Sequence, residues 1–222
     1  MAKALFITGT DTEIGKTHVA CALVRAARDS GLRVAVFKPV AAGCEVTPEG
    51  LRNADALDLM HAAGGTHDYD LVNPYAFQEP VAPHLAAADA GVDIDLDRIM
   101  DCYRALAKHA DLVVVEGAGG WTVPLGADLA FPDLVEHARW PVLLVVGMRL
   151  GCLNHALLSA ESIARRAQLL GWIANCLPPA QPRLQENIAS LEARLLVPLL
   201  GTVVGERTEH QGLRFSEIYQ SL

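Results

Sequence analysis

ALFITGTDTEIGKTHVACALVRAARDSG, residues 4–31, is the stretch whose reading decides the fold. Residues 4–8 form a short β-rich apolar run, and residues 19–29 read as a helix. The loop between them ends Gly15-Lys16-Thr17, so strand, glycine-bearing loop and helix follow one another directly. A phosphate-binding loop requires that order. Its backbone N–H groups and the positive end of the helix dipole face the phosphates, Lys16 adds a point charge, and the Thr17 hydroxyl can ligate Mg²⁺. The strict Gly-x-x-x-x-Gly-Lys-Thr spacing is missed, because position 10 is Thr10 and the glycine stands one residue earlier at Gly9. The competing reading is an ordinary glycine-rich turn before a helix, and the Gly-Lys-Thr opening weighs against it.

Working outward, apolar runs at 34–37, 112–115, 142–146, 172–174 and 199–203 alternate with helical stretches at 54–63, 154–169 and 185–195. The runs are continuously apolar, as expected of parallel strands covered on both faces by helices. The expected fold is α/β: a three-layer, doubly wound, mostly parallel sheet of the P-loop nucleoside triphosphate hydrolase type. Residues 73–83, with three prolines, read as a long ordered connection, and 177–182 as a loop. The polar residues after Gly205 show no legible element. No stretch has linker character, so residues 1–222 are expected to form one domain.

Composition narrows the function classes. Apolar residues make up 51% of the chain and charged ones 20%, a globular balance with enough aliphatic side chain for doubly covered strands. Eighteen Lys plus Arg against 26 Asp plus Glu leave a net charge of −8, which argues against nucleic acid or an anionic membrane as partner. Any phosphate site must therefore be local. The five cysteines are scattered and contain no Cys-x-x-Cys pair, so neither a disulfide framework nor a zinc site is expected. No apolar run approaches the roughly 20 residues of a membrane span, and a soluble cytoplasmic protein is expected.

Several residues stand where chemistry would be placed. Lys38 follows the apolar run 34–37, at the carboxyl strand end where open α/β sheets place their ligand crevice; taken alone, a solvated charge is an equal reading. Glu116 ends DLVVVEGAGG in the same way. A carboxylate entering a buried strand end needs a cation or hydrogen bonds, and magnesium is the obvious cation. Gly117, Gly119 and Gly120 would let the backbone pass close to a ligand, or simply make a turn. Asp55 begins a helix and by itself reads as an N-terminal helix charge. After the run 142–146, Gly151 precedes a second helix whose N–H groups could hold an anion such as a carboxylate. Cys152 and His155 have no partner of recognisable spacing and read as a buried thiol and a packed histidine.

Taken together, FITGTDTEIGKT, FKPVAAG with TPEGLRNADAL, VNPYAFQEPVAPH, VVVEGAGGW, VVGMRLGCLNHALL and GWIAN resemble the dethiobiotin synthetase family, in order from residue 4 to about residue 203. The resemblance implies an ATP-dependent ligase of biotin synthesis. One amine of 7,8-diaminononanoate (diaminopelargonate) is carboxylated by CO₂, ATP phosphorylates the carbamate, and the second amine closes the ureido ring. It implies Lys16 and Lys38 as catalytic residues and Thr17, Asp55 and Glu116 as Mg²⁺ ligands. It implies nucleotide contacts from Glu13, Ile14, Gly15, Lys16, Thr17, His18, Asp55, Glu116, Gly117, Ala118, Gly119 and Gly205, with Asn175 reading adenine. Substrate contacts would come from Thr12, Lys38, Ala42 and Asn187, and from Gly151, Cys152, Leu153 and Asn154, which hold the substrate carboxylate from the neighbouring subunit of a homodimer.

Four places depart from the family pattern. Ala42 stands where a serine often touches substrate, Asn187 where tyrosine can stand, Cys176 where aspartate can follow the adenine-reading asparagine, and residues 203–206 lack a Pro-Trp pair. None belongs to the phosphate or metal set. Two other readings compete. An amide-forming ATPase acting on a cobalamin precursor would need a further glutamine-hydrolysing domain, for which the chain is too short. A nucleotide-switched positioning or partition ATPase would carry an extra lysine early in the loop, where Thr10-Asp11-Thr12 supplies none.

Overall fold

The computed structural model describes residues 2–65, 67–176, 178–205 and 212–222. The expectations touching Leu177 and Glu206 lie outside them. In chain order the elements are β1 (Lys3–Gly9), α1 (Lys16–Asp29), β2 (Val34–Phe37), β3 (Val40–Ala41), β4 (Glu45–Thr47), β5 (Gly50–Arg52), α2 (Ala54–Ala63), α3 (Tyr69–Val72), β6 (Tyr75–Ala76) and α4 (Pro83–Asp89). They continue with α5 (Leu96–Ala107), β7 (Leu112–Glu116), α6 (Phe131–Ala138), β8 (Val142–Gly147), α7 (Cys152–Ala164), β9 (Leu169–Cys176), α8 (Leu184–Glu192), β10 (Leu199–Val204) and α9 (Phe215–Ser221).

Six strands form one sheet in the order β10-β9-β8-β1-β7-β2, every neighbouring pair parallel. The chain winds from β1 out to β2, back to β7, then past β1 to β8 and onward, so the winding reverses beside β1. Carboxyl strand ends at such a reversal form the ligand crevice of an open α/β sheet. The α1 helix touches both α2 and α9. Right-handed crossovers put α5, α6, α7 and α8 on the opposite face, completing three layers. The central strands β7 and β8 are buried along their whole length, which accounts for their lack of alternation.

Several boundaries differ from the sequence reading. The helix expected over 154–169 runs from Cys152 to Ala164, and Leu169 already belongs to β9, because an apolar run of Leu and Ala fits a buried strand as well as a helix. Helices α3, α4, α5 and α6 were not anticipated. On α6, Phe131 joins Phe6, while Trp140 just beyond the helix contacts Phe6, Phe37 and Tyr103, an aromatic cluster drawn from separate elements. The connection 73–83 contains β6, paired with β3, and ends at the proline that opens α4. A β4–β5 hairpin precedes α2. All five cysteines are free thiols, and among the described residues no helix is long and apolar enough to cross a membrane.

Candidate active site

The loop joining β1 to α1 wraps over Gly9. An ideal Cβ there would lie 2.8 Å from the Ile14 side chain and 3.0 Å from that of Lys16, so glycine is needed at this position despite the shifted spacing. Glu13 adopts φ +56° and Gly15 φ +79°, left-handed conformations that turn the chain into α1; for the non-glycine Glu13 this stores strain. The first turn of α1 has no acidic residue and no side-chain cap, leaving its N–H groups for an anion. Behind the loop, the Asn175 amide at the end of β9 donates to the Ile14 carbonyl at 2.6 Å. That bond uses one of the two Asn175 amide N–H groups and turns the nitrogen towards the loop.

Strand register brings the charged residues together. Phe37 pairs with Val115, so the next residues, Lys38 and Glu116, emerge side by side at the carboxyl edge. Lys38 Nζ lies 2.6 Å from Glu116 Oε1 and 3.0 Å from Asp55 Oδ2. The Thr17 hydroxyl donates to the same Glu116 Oε1 at 2.9 Å. Asp55 arrives from the first turn of α2, whose N-cap Asn53 accepts from the Ala56 N–H at 3.2 Å. Lys38 is 3% exposed and Glu116 fully buried, so the charges compensate one another away from water. Lys38 is therefore a buried ion-pair partner, and the solvated-charge reading is withdrawn.

The two lysines respond differently to burial. For Lys16, burial is the largest influence and, with the repulsion of Lys38, outweighs the attraction of Glu116 and Asp55, lowering its pKa to about 8. Burial also pulls on Lys38, but the Glu116 and Asp55 carboxylates prevail and its pKa is raised. Asp55, pushed up by burial, is pulled further down by Lys38 and the Thr17 hydroxyl. Lys16 Nζ meanwhile donates to the Asp11 carbonyl at 2.9 Å.

Magnesium fits this set. Glu116 Oε2 is buried with no hydrogen-bond partner, an acceptor without a donor or cation beside the Thr17 hydroxyl and the Asp55 carboxylate. Among the described residues no group of three His, Cys, Asp or Glu is placed to hold a metal ion. Two carboxylates and a hydroxyl suit a hard ion that takes its remaining oxygens from phosphate and water.

These side chains face a cavity of about 850 Å³. Thr12, Glu13, Gly15, Lys16, Thr17, Lys38, Asp55, Glu116, Gly117, Ala118, Gly119 and Ala42 all line it. One wall of it, Ala41, Ala42, Pro80, Val81, Ala82 and Pro83, is largely apolar. The sequence reading missed this wall, although the prolines of the 73–83 connection mark it. Ile14, His18, Asn175, Asn187, Gly205 and the turn Gly151, Cys152, Leu153, Asn154 are not among the lining residues. The Asn187 amide donates to the Arg183 carbonyl at 3.0 Å on α8. Cys152 is buried as expected, whereas His155 is exposed rather than packed. Arg149, also missed, forms an ion pair with Asp11 and ties the loop before α7 to the phosphate loop.

A family model described as an AAA domain matches residues 3–207. The ATP-dependent dethiobiotin synthetase BioD of Pseudomonas paraeruginosa is 54% identical over 202 residues, covering 90% of this chain and 89% of the relative. The chain belongs to the ATP-dependent dethiobiotin synthetases. The BioD of Xanthomonas euvesicatoria pv. vesicatoria is 50% identical over 90% of both chains, and BioD 1 of Escherichia coli O157:H7 is 48% identical over 90% of both. Among solved structures, the MinC:MinD cell division complex of Aquifex aeolicus superposes with a TM-score of 0.61 at 14% identity, over 99% of this chain and 96% of that one. FtsY of Thermotoga maritima gives 0.56 at 19% identity, over 95% and 64%. At those identities the likeness shows the P-loop fold alone, and the partition-type reading gains no support from it.

Proposed function

We infer that this synthetase converts diaminopelargonate, CO₂ and ATP into dethiobiotin, ADP and phosphate. The observation that carries the reading is one cavity lined both by Lys16, Thr17 and Lys38 and by a largely apolar group of residues, in a chain that shares half its residues with synthetases of this name. An aliphatic diamino acid suits the apolar side, and a triphosphate suits the loop and Lys16.

One amine of the substrate attacks CO₂ and loses a proton, giving a carbamate. A carbamate oxygen then takes the γ-phosphoryl group, releasing ADP, and the second amine attacks the carbonyl carbon to close the ring and expel phosphate. Such transfer asks mainly for positioning and neutralisation of charge. Lys16 neutralises the phosphates, and Lys38, fixed by Glu116 and Asp55, presents a second cation where carbamate and γ-phosphate meet. Thr17, Asp55 and Glu116 would hold Mg²⁺, which when bound shields the phosphate oxygens.

The start of α7 lies outside the cavity wall, and its N–H groups are suited to a carboxylate. We assign them to substrate held by a second copy of the chain in a homodimer. A cytoplasmic setting suits five unpaired thiols. The test is incubation of the protein with ATP, Mg²⁺, bicarbonate and diaminopelargonate, followed by mass spectrometry for dethiobiotin; absence of product from folded protein refutes the reading.

A further inference from the structure

Lys38 and Asp55 come from different parts of the chain, yet their side chains meet at 3.0 Å. A buried hydrogen-bond chain joins the segments that carry them. The backbone of Lys38 is gripped on both sides: its N–H donates to the Val72 carbonyl at 2.8 Å, and its carbonyl accepts from the Asn73 amide at 2.7 Å. The Asn73 carbonyl oxygen accepts from the Tyr69 hydroxyl at 3.0 Å, and that hydroxyl accepts from the backbone N–H of Asn53 at 2.7 Å. Asn53 in turn caps the helix on which Asp55 stands.

We propose that Tyr69 and Asn73 are positioning residues of the active site, setting the separation of Lys38 and Asp55 from behind. Each hydroxyl or amide in the chain has its donor and acceptor sense fixed by the next. The Tyr69 proton goes to Asn73, which leaves its lone pair for Asn53, while the second Asn73 N–H reaches the Tyr75 carbonyl at 3.3 Å. Tyr69, Asn73, Asn53 and Lys38 are all buried, so water offers no substitute partners. The Tyr69 ring is held separately, under the Arg52 guanidinium at 4.1 Å, so its hydroxyl can be removed without unseating the ring. Neither residue lines the cavity, so each acts through Lys38 and Asp55.

This inference rests on the cavity being the synthetase active site, and two variants separate the two claims. Tyr69→Phe deletes only the hydroxyl; Asn73→Asp keeps the size of the side chain but replaces its donors with acceptors. Each is compared with the parent for kcat, KM for ATP, thermal unfolding and backbone amide exchange of the intact chain. Loss of such supporting partners commonly costs about 10–100-fold in activity. The expected result is a fall of that size in kcat per folded molecule with KM for ATP little changed, and faster exchange of the Asn53 amide in Tyr69→Phe. A merely structural role would lower the unfolding temperature and leave kcat per folded molecule intact, which overturns the proposal. Unchanged exchange at Asn53 overturns it as well. Should the parent form no dethiobiotin, the functional reading falls, and the exchange measurement, which needs no substrate, decides the network by itself.

Discussion

Lys16 and Lys38 carry the same charge 22 positions apart, and their surroundings differ. Lys16 is only loosely compensated, with a pKa lowered to about 8, and it is free to be claimed by phosphate. Lys38 is already held by two carboxylates. Lys16→Ala is therefore expected to lower kcat at saturating ATP by about 10²–10³-fold, the usual cost of one well-placed electrostatic group. Steady-state assay of dethiobiotin formation checks this, and wild-type turnover would exclude Lys16 from the chemistry. Glu116 plays two parts, accepting from Lys38 and Thr17 through one oxygen while the other stays unsatisfied. Glu116→Gln keeps the shape and removes the charge, so the Mg²⁺ concentration for half-maximal activity is expected to rise. An unchanged Mg²⁺ titration would remove Glu116 from the metal shell.

At the scale of elements, the start of β2 is tied to the start of β7 at the edge opposite the phosphate loop. Arg33 donates to Asp111 through its backbone N–H at 2.9 Å and its Nη2 at 2.6 Å. The Arg33 side-chain and backbone hydrogen bonds hold the Asp111 carboxyl down to about 2, against an ordinary value of 3.8. Because the folded value is the lower one, the contribution is fully present above the unfolded value and disappears as pH falls through the folded one. Asp111→Asn should thus lower the unfolding temperature at pH 7, with the gap closing between about pH 4 and pH 2. Thermal melts of both proteins across that range check the sign; a gap that widens in acid contradicts it. The same strand pair places Lys38 and Glu116 at its other end, so its register serves stability and site alike.

For the whole molecule, the cavity and the anion-suited start of α7 are separate features of one chain. The proposed dimer would unite them, and a two-fold interface then makes two equal composite sites. Gly151 adopts φ +96°, so a side chain there strains the turn, whereas Asn154 is exposed and its replacement is expected to matter less. A subunit disabled by Lys16→Ala, mixed with one disabled by Gly151→Val, should regain activity, because in the mixed dimer one composite site carries both lesions and the other neither. Native mass spectrometry confirms the mixed species, and no return of activity in it would overturn the shared site.

The six strands of the main sheet, the phosphate loop and the family were legible in the sequence because they rest on local patterns: apolar runs, a glycine-lysine-threonine helix start, and motifs in a set order. Even Lys38 and Glu116 could be singled out as charges ending apolar runs. Their partnership could not, because it depends on register between β2 and β7, which brings residues 78 positions apart to 2.6 Å. Helix α6 and its aromatic cluster were hidden for the same reason, since Phe6, Phe37, Phe131 and Trp140 make no periodic pattern until the sheet collects them. The apolar cavity wall and the Asn53–Tyr69–Asn73 chain likewise exist only as meetings of separate segments. Sequence by itself singled out the candidate residues; tertiary structure decided which of them share a charge, a hydrogen bond or a wall, because those are properties of distance in space rather than of spacing along the chain.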